Sequence, residues 1–457
     1  MTWEIRLTDI AGWLAVPFTD NDALVTSSKI DSRLLQAGDL FVALSGQQTD
    51  GHDYLEQARQ AGAAGALVSR RMPSELPQIV VDDVVSAYAK IANQWRKHSH
   101  AKIIAVTGSN GKTTLKEMIA SILSHAGTVL ATQGNLNNEL GVPLTLTRLN
   151  QTHDYAVIEM GANHPGEIAM LTAMAEPDVA VINNVGPAHL EGFGSLQGVA
   201  EAKGEIFSGL KADGVGVINS DMAYDKLWQQ ALGAHRKLCF GLQLPADITA
   251  LDLQPAVTGS QFMVRLDDVC HYISLPLPGV HNVSNALAAI AVCSALDIKP
   301  EAIVKGLANI KAVPHRLQLR PAINQSLLID DTYNANPGSF RQALQTLMQF
   351  PGQRWLVLGD FGELGAEAVT IHQHLGRDAK AAGVDRLLTI GLQSQLAAMA
   401  FGDNAQHFHD KGELEAELKK SLAPDVVCLL KGSRFMALDQ LADLLAVEEK
   451  ADAVTAD

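Results

Sequence analysis

The sequence predicts an α/β protein of three domains. In two separate stretches of the chain, short apolar segments alternate with helical segments, and a smaller stretch of strands and one helix precedes them. Such alternation predicts parallel sheets that are covered by helices on both faces. The length agrees with several domains, because 457 residues exceed what one hydrophobic core organises. Hydrophobic residues make up 47% of the chain, enough to fill several cores.

The first domain is expected over residues 1–83. GDLFVAL (38–44) alternates as a strand does, and the segment 54–69 reads as a helix, a glycine stop and a strand. PQIVVDDV (77–84) follows, and a helix from about residue 86 to residue 97 leads onward. These elements predict a small α/β domain.

The second domain is expected over residues 84–313. After its first strand, a helix places Leu115, Met118 and Ile122 on one face, and Gly127 supplies a stop. Ligands of parallel sheets collect at the carboxyl ends of the strands. The predicted strands are 103–106, 155–159, 178–182 and 215–218.

The third domain is expected over residues 314–457. Its apolar segments are again spaced by helical ones, which predicts a second open α/β sheet. The predicted strands are 326–330, 355–358, 386–390 and 426–430.

Composition restricts the classes of function. The net charge of −15 argues against nonspecific nucleic-acid binding, although a local basic pocket can still hold an anionic substrate. The four cysteines form no C-x-x-C pair, so neither a zinc site nor a disulfide framework is indicated, and a cytoplasmic location fits. The N-terminal segment lacks the pattern of a signal peptide, and no apolar run approaches the ~20 residues that span a bilayer.

The turn after the first strand of the second domain has the features of a phosphate-binding loop. In AVTGSNGKTT, backbone N–H groups around Gly108 and Gly111 can face an oxyanion, and the start of the next helix adds a positive potential. Lys112 can reach the β- and γ-phosphates, and the Thr113 hydroxyl can ligate Mg²⁺. Val106 stands where the common pattern has its first glycine. We expect a nucleoside triphosphate to bind here; an ordinary strand–turn–helix is the alternative.

Polar residues follow the neighbouring strands. Glu159 ends the strand 155–159, where a carboxylate can bind Mg²⁺ directly or through water, and a surface glutamate is the alternative. His189 lies in a glycine-rich loop after the next strand, and Lys203 lies on a helix beyond it. A solvated histidine and an ion-paired lysine are the alternatives for these two.

Further candidates lie around the junction of the second and third domains. Asn282 and Asn285, on the first turn of a helix, can hydrogen-bond a base edge or cap the helix. Arg316 at the junction suits a phosphate or a planar base. The loop DDTYNANPGS is dense in polar groups, which can bind a ligand or form Asx turns only.

Taken together, the motifs resemble those of the Mur ligases, the ATP-dependent amino-acid and peptide ligases of peptidoglycan synthesis. The resemblance covers almost the whole chain, from DSR…GDLFVAL to LLKGSR, and T-G-S-N-G-K-T-T is the family's form of the phosphate loop. GNLNNELGVPLTL, EMGANHPGEI, DDTYNANP, LGDFGELG and KGSR look like the member that ligates D-alanyl-D-alanine to UDP-N-acetylmuramoyl-tripeptide.

The resemblance implies a role for each domain. The first would hold the UDP end of the substrate, the second would be a central parallel-sheet P-loop ATPase domain, and the third a C-terminal Rossmann-like open-sheet domain for the incoming dipeptide. ATP and two Mg²⁺ ions are implied, with Lys203 carbamylated, because an ammonium would repel Mg²⁺ whereas a carbamate offers oxygen ligands. The implied partners are the two small-molecule substrates, with no nucleic acid and no membrane insertion, and the implied enzyme is a cytoplasmic monomer.

Site residues also follow from the resemblance. The implied catalytic residues are Lys112, Glu159, His189 and Lys203, and the implied metal ligands are Thr113, Glu159, His189 and carbamylated Lys203. The implied ATP contacts are Thr107, Gly108, Ser109, Asn110, Gly111, Lys112, Thr113, Thr114, Asn282, Arg316 and Asp331. The implied substrate contacts are Ser32, Arg33, Gly46, Gln47, Gln48 and Thr49 for the uridine nucleotide, Asn137, Asn138 and Asn163 for the muramyl-peptide, and Tyr333, Asn334 and Asn336 in the third domain.

In the implied reaction, the terminal carboxylate of the substrate attacks the γ-phosphate of ATP, and the amine of the dipeptide then attacks the acyl phosphate. A diamino-acid ligase of the same family is one alternative, but its Asp-Asn-Pro-Arg motif is not found. A folylpolyglutamate synthase-like ligase is another, against which the GQQTDGHDY segment argues. A nucleotide-dependent switch protein is the alternative from another class; the N-K-x-D motif of a GTP switch is not found.

Overall fold

Four β-sheets organise the computed structural model, which describes residues 5–46, 49–187 and 190–447. They have four, seven, three and six strands in chain order. The four-, seven- and six-stranded sheets are associated with helices, and all but one of their strand pairings are parallel. The predicted α/β class is therefore confirmed. Among the described residues, no helix is both long and apolar enough to cross a bilayer.

The first sheet is small and parallel, with the strand order β1-β2-β3-β4. Helix α1, which the sequence analysis did not predict, buries Leu7 and Ile10 beneath it. The elements of this unit are α1 (Leu7–Leu14), β1 (Ser27–Lys29), β2 (Asp39–Val42), α2 (Leu55–Gln60), β3 (Gly65–Val68) and β4 (Gln78–Val80).

Helix α3 (Val84–Lys97) joins the first unit to the central one. The Asp83 carboxylate caps its N-terminus by accepting a hydrogen bond from the backbone N–H of Val85. One continuous hydrophobic cluster runs from α1 through α3 into the central sheet. Within it, the Ser28 hydroxyl lies 2.6 Å from the hydroxyls of both Tyr88 and Thr147. The first sheet thus shares its core with the central unit.

The central sheet places strand β5 between β8 and β7. All seven strands are parallel in the order β11-β10-β9-β8-β5-β7-β6. The elements are β5 (Lys102–Thr107), α4 (Lys112–Leu123), β6 (Val129–Ala131), α5 (Gly141–Leu146), β7 (Tyr155–Glu159), α6 (Glu167–Ala175), β8 (Val179–Ile182), α7 (Leu190–Phe193), α8 (Leu196–Gly204), β9 (Val215–Asn219), α9 (Asp225–Leu232), β10 (Arg236–Gly241) and β11 (Ile248–Thr249).

This strand order fixes where a ligand site can form. The connections from β5 lead to β6 and β7 on one side, whereas the chain continues through β8 and β9 on the other side. The carboxyl ends of β5 and β8 therefore border a point at which the strand order changes direction. Open parallel sheets bind ligands in the crevice at such a point.

An antiparallel three-stranded sheet, which the sequence analysis missed, follows the central sheet. Its strands are β12 (Leu251–Ala256), β13 (Gly259–Leu266) and β14 (Val269–Leu275), and helices α10 (Val280–Ala295) and α11 (Pro300–Ala308) come next. Asp267 and Asp268 both have positive φ, 48° and 61°, which suits the tight turn between β13 and β14. Helix α10 is buried along most of its length, and α11 and α10 both pack on α4.

The third unit contains the six-stranded sheet in the order β15-β16-β20-β17-β18-β19, parallel except for the β15–β16 pair. A hydrophobic cluster fills each face of this sheet. Its elements are β15 (Gln318–Pro321), β16 (Leu327–Asp331), α12 (Pro337–Leu347), β17 (Gln353–Gly359), α13 (Ala368–Ala382), β18 (Arg386–Ile390), α14 (Ser394–Phe401), β19 (Ala405–Phe408), α15 (Lys411–Ser421), β20 (Val426–Lys431) and α16 (Leu438–Leu445).

Candidate active site

A cavity of about 540 Å³ opens at the carboxyl ends of β5 and β7 and extends to the third unit. Its lining is mostly polar and comes from both units. It includes nearly all of the predicted ATP-site residues, namely Gly108, Ser109, Asn110, Gly111, Lys112, Thr113, Thr114, Asn282, Arg316 and Asp331. It also includes Glu159, Lys203, Asn137, Asn138, Asn163, Tyr333, Asn334 and Asn336.

The loop between β5 and α4 brings its backbone close to other chain segments. Gly111 has φ of 72°, in the left-handed region that favours glycine. A Cβ at this position would lie 2.9 Å from Asn285 Oδ1 and 3.0 Å from Asn183 Nδ2. Glycine is therefore required both by the backbone conformation and by the space, and α4 begins at the next residue.

The loop after β8 holds the phosphate loop in place. Asn184 accepts a hydrogen bond from the backbone N–H of Asn110 at 2.9 Å and donates one to its carbonyl oxygen at 2.9 Å. The Asn183 amide donates to the same carbonyl at 3.1 Å and to Asn285 Oδ1 at 2.7 Å. Ser109 Oγ exchanges hydrogen bonds with the backbone of Gly186. These contacts hold the loop against the segment that follows β8.

Lys112 points its ammonium back over the loop. Its Nζ donates a hydrogen bond to the carbonyl oxygen of Gly108 at 2.7 Å. Burial lowers the pKa of Lys112, Glu159 opposes that shift, and the positive charge of Arg316 adds to it. The ammonium thus has few compensating charges in the cavity, which favours an anionic ligand beside it.

Glu159 is only 2% exposed and is bonded through both carboxylate oxygens. Oε2 accepts from the Thr113 hydroxyl at 2.9 Å, and Oε1 accepts from Asn137 Nδ2 at 2.8 Å. The backbone N–H of Glu159 donates to Thr132 Oγ1 at 2.9 Å. The carboxylate and the Thr113 hydroxyl therefore form an adjacent pair of oxygen donors at the first turn of α4.

Lys203 is 4% exposed and lies near the end of α8, facing the same cavity. Burial holds the pKa of Lys203 well below its ordinary range, and the charge of Lys112 adds to the effect. A lysine in this position has a larger neutral fraction at physiological pH than a solvated one. The neutral amine, unlike the ammonium, can act as a nucleophile.

The amides at the start of α10 do not cap the helix, whose N-cap is Gly279 and has no side-chain cap hydrogen bond. Asn282 Nδ2 donates to the carbonyl oxygen of Pro278 at 2.7 Å, and Asn285 Nδ2 donates to Asn282 Oδ1 at 3.1 Å. Through Asn183, this chain of amides continues to the phosphate loop. The start of α10 and the phosphate loop are therefore linked by hydrogen bonds.

The third unit contributes cations and an aromatic ring to the cavity. The Arg316 guanidinium lies 4.1 Å from the centre of the Tyr333 ring, and its buried Nε has no hydrogen-bond partner within the described ranges. The fully buried Lys431 donates to Asp331 Oδ2, and the backbone N–H of Leu317 donates to Asp331 Oδ1 at 3.2 Å. Asp331 is thus already paired inside the third unit.

Some predicted residues lie elsewhere. Thr107 is buried behind the loop, where its hydroxyl donates to the carbonyl oxygen of Met160 at 2.9 Å. The predicted uridine-site residues Ser32, Arg33, Gly46 and Thr49 belong to the first unit and do not line the cavity. Gln47, Gln48 and His189 lie outside the described residues.

The structure adds residues that the sequence analysis did not select. Asn183 and Asn184 directly follow β8, so the rule that sites form at strand ends could have found them. His281 lines the cavity, and burial lowers its pKa to about 4, which keeps the imidazole neutral. Lys431 and Arg434 lie in the KGSR motif and also line the cavity, although they were not assigned a role.

Comparisons with known proteins agree along the whole chain. Three family profiles match it: "Mur ligase family, catalytic domain" over residues 25–121, "Mur ligase middle domain" over 106–293 and "Mur ligase, glutamate ligase domain" over 315–434. The UDP-N-acetylmuramoyl-tripeptide–D-alanyl-D-alanine ligase of Escherichia coli is 45% identical, covering 96% of this chain and 97% of its own length. The enzyme of the same name from Bacillus subtilis is 36% identical, covering 94% and 95%.

Solved structures give the same match. MurF from Acinetobacter baumannii superposes with a TM-score of 0.89 at 34% identity, covering 97% of this chain and 99% of that one. MurF from Thermotoga maritima in complex with ADP has a TM-score of 0.81 at 29% identity, covering 92% and 96%.

Proposed function

Because the chain belongs to the Mur ligase family, we propose that it is an ATP-dependent ligase that joins D-alanyl-D-alanine to UDP-N-acetylmuramoyl-tripeptide. The product would be the UDP-N-acetylmuramoyl-pentapeptide precursor of peptidoglycan. The observation that carries the proposal is the cavity, in which the phosphate loop of the central unit faces polar side chains of the third unit. A ligase needs both the phosphate loop and the facing polar side chains, because it activates one substrate and then brings a second substrate to the activated carboxyl group.

We assign ATP to the phosphate loop. Lys112 and the loop N–H groups would hold the β- and γ-phosphates, and the guanidinium of Arg316, with its unpartnered Nε, would hold a phosphate or the base. The neutral His281 and Asn282 at the start of α10 would border the nucleoside. MurF from Thermotoga maritima, which is 29% identical and has the same fold, was solved in complex with ADP, and this supports the assignment.

The Thr113–Glu159 pair fits Mg²⁺. A hydroxyl and a carboxylate 2.9 Å apart are oxygen donors of the kind that this ion prefers, and they lie at the first turn of α4 beside Lys112. Bound there, Mg²⁺ would neutralise charge on the phosphates. The Thr113 hydroxyl would turn its hydrogen away from Glu159 and present its oxygen to the ion. Asn137 would continue to orient the Glu159 carboxylate through its hydrogen bond to Oε1.

We propose that Lys203 is carbamylated and that, with His189, it binds a second Mg²⁺. Its neutral amine would attack carbon dioxide, forming the N–C bond of the carbamate and releasing one proton. The lowered pKa of Lys203 supports this step because the neutral amine is the reactive form. The resulting anion would also offset the charge of Lys112 in the cavity.

The chain's residues would then organise two chemical steps. Asn137, Asn138 and Asn163 would position the terminal carboxylate of the nucleotide-peptide beside the γ-phosphate, and Lys112 would stabilise the charge on the transferring group. The carboxylate oxygen attacks phosphorus, ADP leaves and an acyl phosphate forms. The dipeptide amine attacks the acyl carbon, loses a proton and expels inorganic phosphate.

We further propose that residues 1–83 bind the UDP end through Ser32, Arg33 and the turn 46–49, that residues 84–313 bind ATP, and that residues 314–457 bind the dipeptide through Tyr333 and Asn334. We also propose that the enzyme is a monomer and that it acts in the cytoplasm, where ATP and a UDP-linked substrate would be available.

The acceptor assay tests this function directly. Purified enzyme with ATP, Mg²⁺ and UDP-N-acetylmuramoyl-tripeptide should release phosphate when D-alanyl-D-alanine is added, and mass spectrometry should detect the pentapeptide. Single D-alanine and a diamino acid serve as matched acceptors and should release little phosphate. Preference for a single free amino acid would instead identify a ligase that adds one residue, and phosphate release without any acceptor would indicate a nucleotide hydrolase.

A further inference from the structure

The N-terminus of helix α12 in the third unit reaches the phosphate loop of the central unit. Asn336 Nδ2 donates a hydrogen bond to Asn110 Oδ1 at 2.8 Å, between residues 226 positions apart in the chain. Asn336 is at the same time the N-cap of α12: its Oδ1 accepts from the backbone N–H of Ser339 at 2.8 Å, and its own N–H donates to Ser339 Oγ at 3.1 Å. Both ends of this amide are therefore used within the protein.

The partner residue is held equally firmly on the central side. The backbone N–H and C=O of Asn110 are bonded to Asn184, and the C=O also accepts from Asn183. Only the side chain of Asn110 extends toward the third unit. The hydrogen bond thus connects a loop fixed by its backbone to a helix fixed by its cap, so neither residue can move without disturbing an ordered element.

Two glycines allow α12 to approach the central unit. A Cβ on Gly338 would lie 3.2 Å from Asn110 Nδ2, so a side chain there would crowd the contact. Near the other end of the helix, a Cβ on Gly279, just before α10, would lie 2.9 Å from Thr346 Oγ1. The helix therefore lies against two parts of the nucleotide cavity, the phosphate loop and the turn before α10.

We propose that the Asn110–Asn336 hydrogen bond is a latch between the two units, and that Asn336 is a positioning residue rather than a substrate contact. The latch orients α12 and the segment before it, from Asp331 at the end of β16 to Tyr333, against the phosphate loop, so that the dipeptide and the activated carboxylate meet. This inference rests on the proposed ligase function for its kinetic consequence, but its structural consequence is independent of that function.

Asn336→Ser separates the latch from the helix cap. Serine is a good N-cap but is too short to reach Asn110, so a residue needed only for capping would tolerate the change. If the latch exists, the kcat of Asn336→Ser should fall about 5- to 10-fold, which corresponds to the usual net contribution of one hydrogen bond, while its KM for ATP should stay within about two-fold of the wild-type value. Asn336→Thr, which also keeps a good N-cap but is too short to reach Asn110, provides a second variant should the first fail to fold. Asn309→Ser, at an exposed residue ending α11, is the matched control and should leave kcat unchanged.

A double-mutant cycle identifies the partner. Asn110→Ala removes the same bond. The double variant, Asn110→Ala with Asn336→Ser, should therefore be no less active than the less active of the two single variants. Multiplied losses, an unchanged kcat for Asn336→Ser, or a raised KM for the dipeptide with unchanged kcat would each overturn the latch.

Hydrogen exchange tests the latch without catalysis. In the full-length chain, Asn110→Ala should accelerate amide exchange at the first turn of α12, which is distant in sequence, while exchange in α14 serves as the internal reference. Unchanged exchange at that turn would overturn the proposal. A wild-type enzyme that shows this coupling but does not ligate the dipeptide would contradict the proposed function and leave the latch standing.

Discussion

At the scale of single residues, the cavity brings together two lysines whose ammonium forms are poorly compensated. Lys112 and Lys203 face the same space, and the charge of Lys112 adds to the effect of burial in lowering the pKa of Lys203. Glu159 is the carboxylate that opposes the shift at Lys112. Binding of a polyphosphate beside Lys112, together with carbamylation of Lys203, would relieve this imbalance without any movement of the backbone.

Replacement of Lys203 by alanine tests its chemical state. We expect Lys203→Ala to lower kcat by about 100-fold or more, because even the outer-shell partners of metal ligands are worth about 10–100-fold. Added short carboxylic acids should restore part of the activity by supplying the missing oxygen ligands. Lys90→Ala, at a surface position on α3, is the control: its kcat should match that of the wild type and should not rise when carboxylic acids are added.

If acetate and propionate leave the Lys203→Ala variant inactive while Lys203→Arg is active, the residue acts as a cation. That result would contradict carbamylation and favour a role in ion pairing.

Sequence alone could select individual residues that line the cavity, but not the hydrogen-bond partners that hold them. Lys112, Thr113 and Glu159 could be selected because a strand end and a helix start define their surroundings locally. The bonds from Asn183 and Asn184 to the phosphate loop could not be foreseen, because they require that β8, which is distant in sequence, lie next to β5. Of the first-unit residues, Ser32 is partly buried and bonded to Gln57, and Arg33 is exposed and bonded to Asp31, so their assigned roles remain predictions.

At the scale of elements, helix α11 packs closely against α4, the helix that begins at Lys112. A Cβ on Gly306 would lie 2.4 Å from the Cα of Ile122 in α4, and the Ser121 hydroxyl donates to the Gly306 carbonyl at 2.8 Å. The two helices therefore meet with their backbones nearly in contact. Residue 306 has room only for glycine.

Two identical substitutions at helical glycines should have opposite effects. Gly306→Ala should destabilise the protein by about 1–3 kcal/mol through overpacking against α4. Gly12→Ala, in helix α1 where a Cβ would meet no atom within 4 Å, should stabilise it by up to about 1 kcal/mol because alanine is the better helix former. Thermal unfolding followed by circular dichroism measures both; equal shifts of the two melting temperatures would contradict the helix packing.

The elements that the sequence analysis missed are short or lie outside the expected alternation of strands and helices. Strand β12 is largely exposed and contains Pro255, so it carries no alternating apolar signal, and β13 and β14 pair with it in an antiparallel sheet outside the expected alternation. Helix α1 spans only 8 residues. The core strands β5, β7, β8 and β9, in contrast, are apolar runs between helices, and the structure has them where the sequence predicted.

At the scale of the whole molecule, the units are joined in two different ways. The first sheet and the central sheet share a hydrophobic core through α3. The third unit meets the central one through the Asn110–Asn336 hydrogen bond and through Val257, at the turn between β12 and β13, which packs against the third unit's core. A small contact of this kind separates at lower cost than a shared core, which would suit the proposed role of the third unit in delivering the second substrate.

Formation of an acyl phosphate is the central claim about the whole molecule, because it requires all three substrates to meet at the phosphate loop. An oxygen-18 label in both oxygens of the tripeptide's terminal carboxylate tests that step most directly. If the carboxylate attacks the γ-phosphate, one labelled oxygen should appear in each inorganic phosphate released with D-alanyl-D-alanine, as measured by mass spectrometry. Phosphate that carries no label, formed together with the pentapeptide, would contradict the acyl-phosphate mechanism.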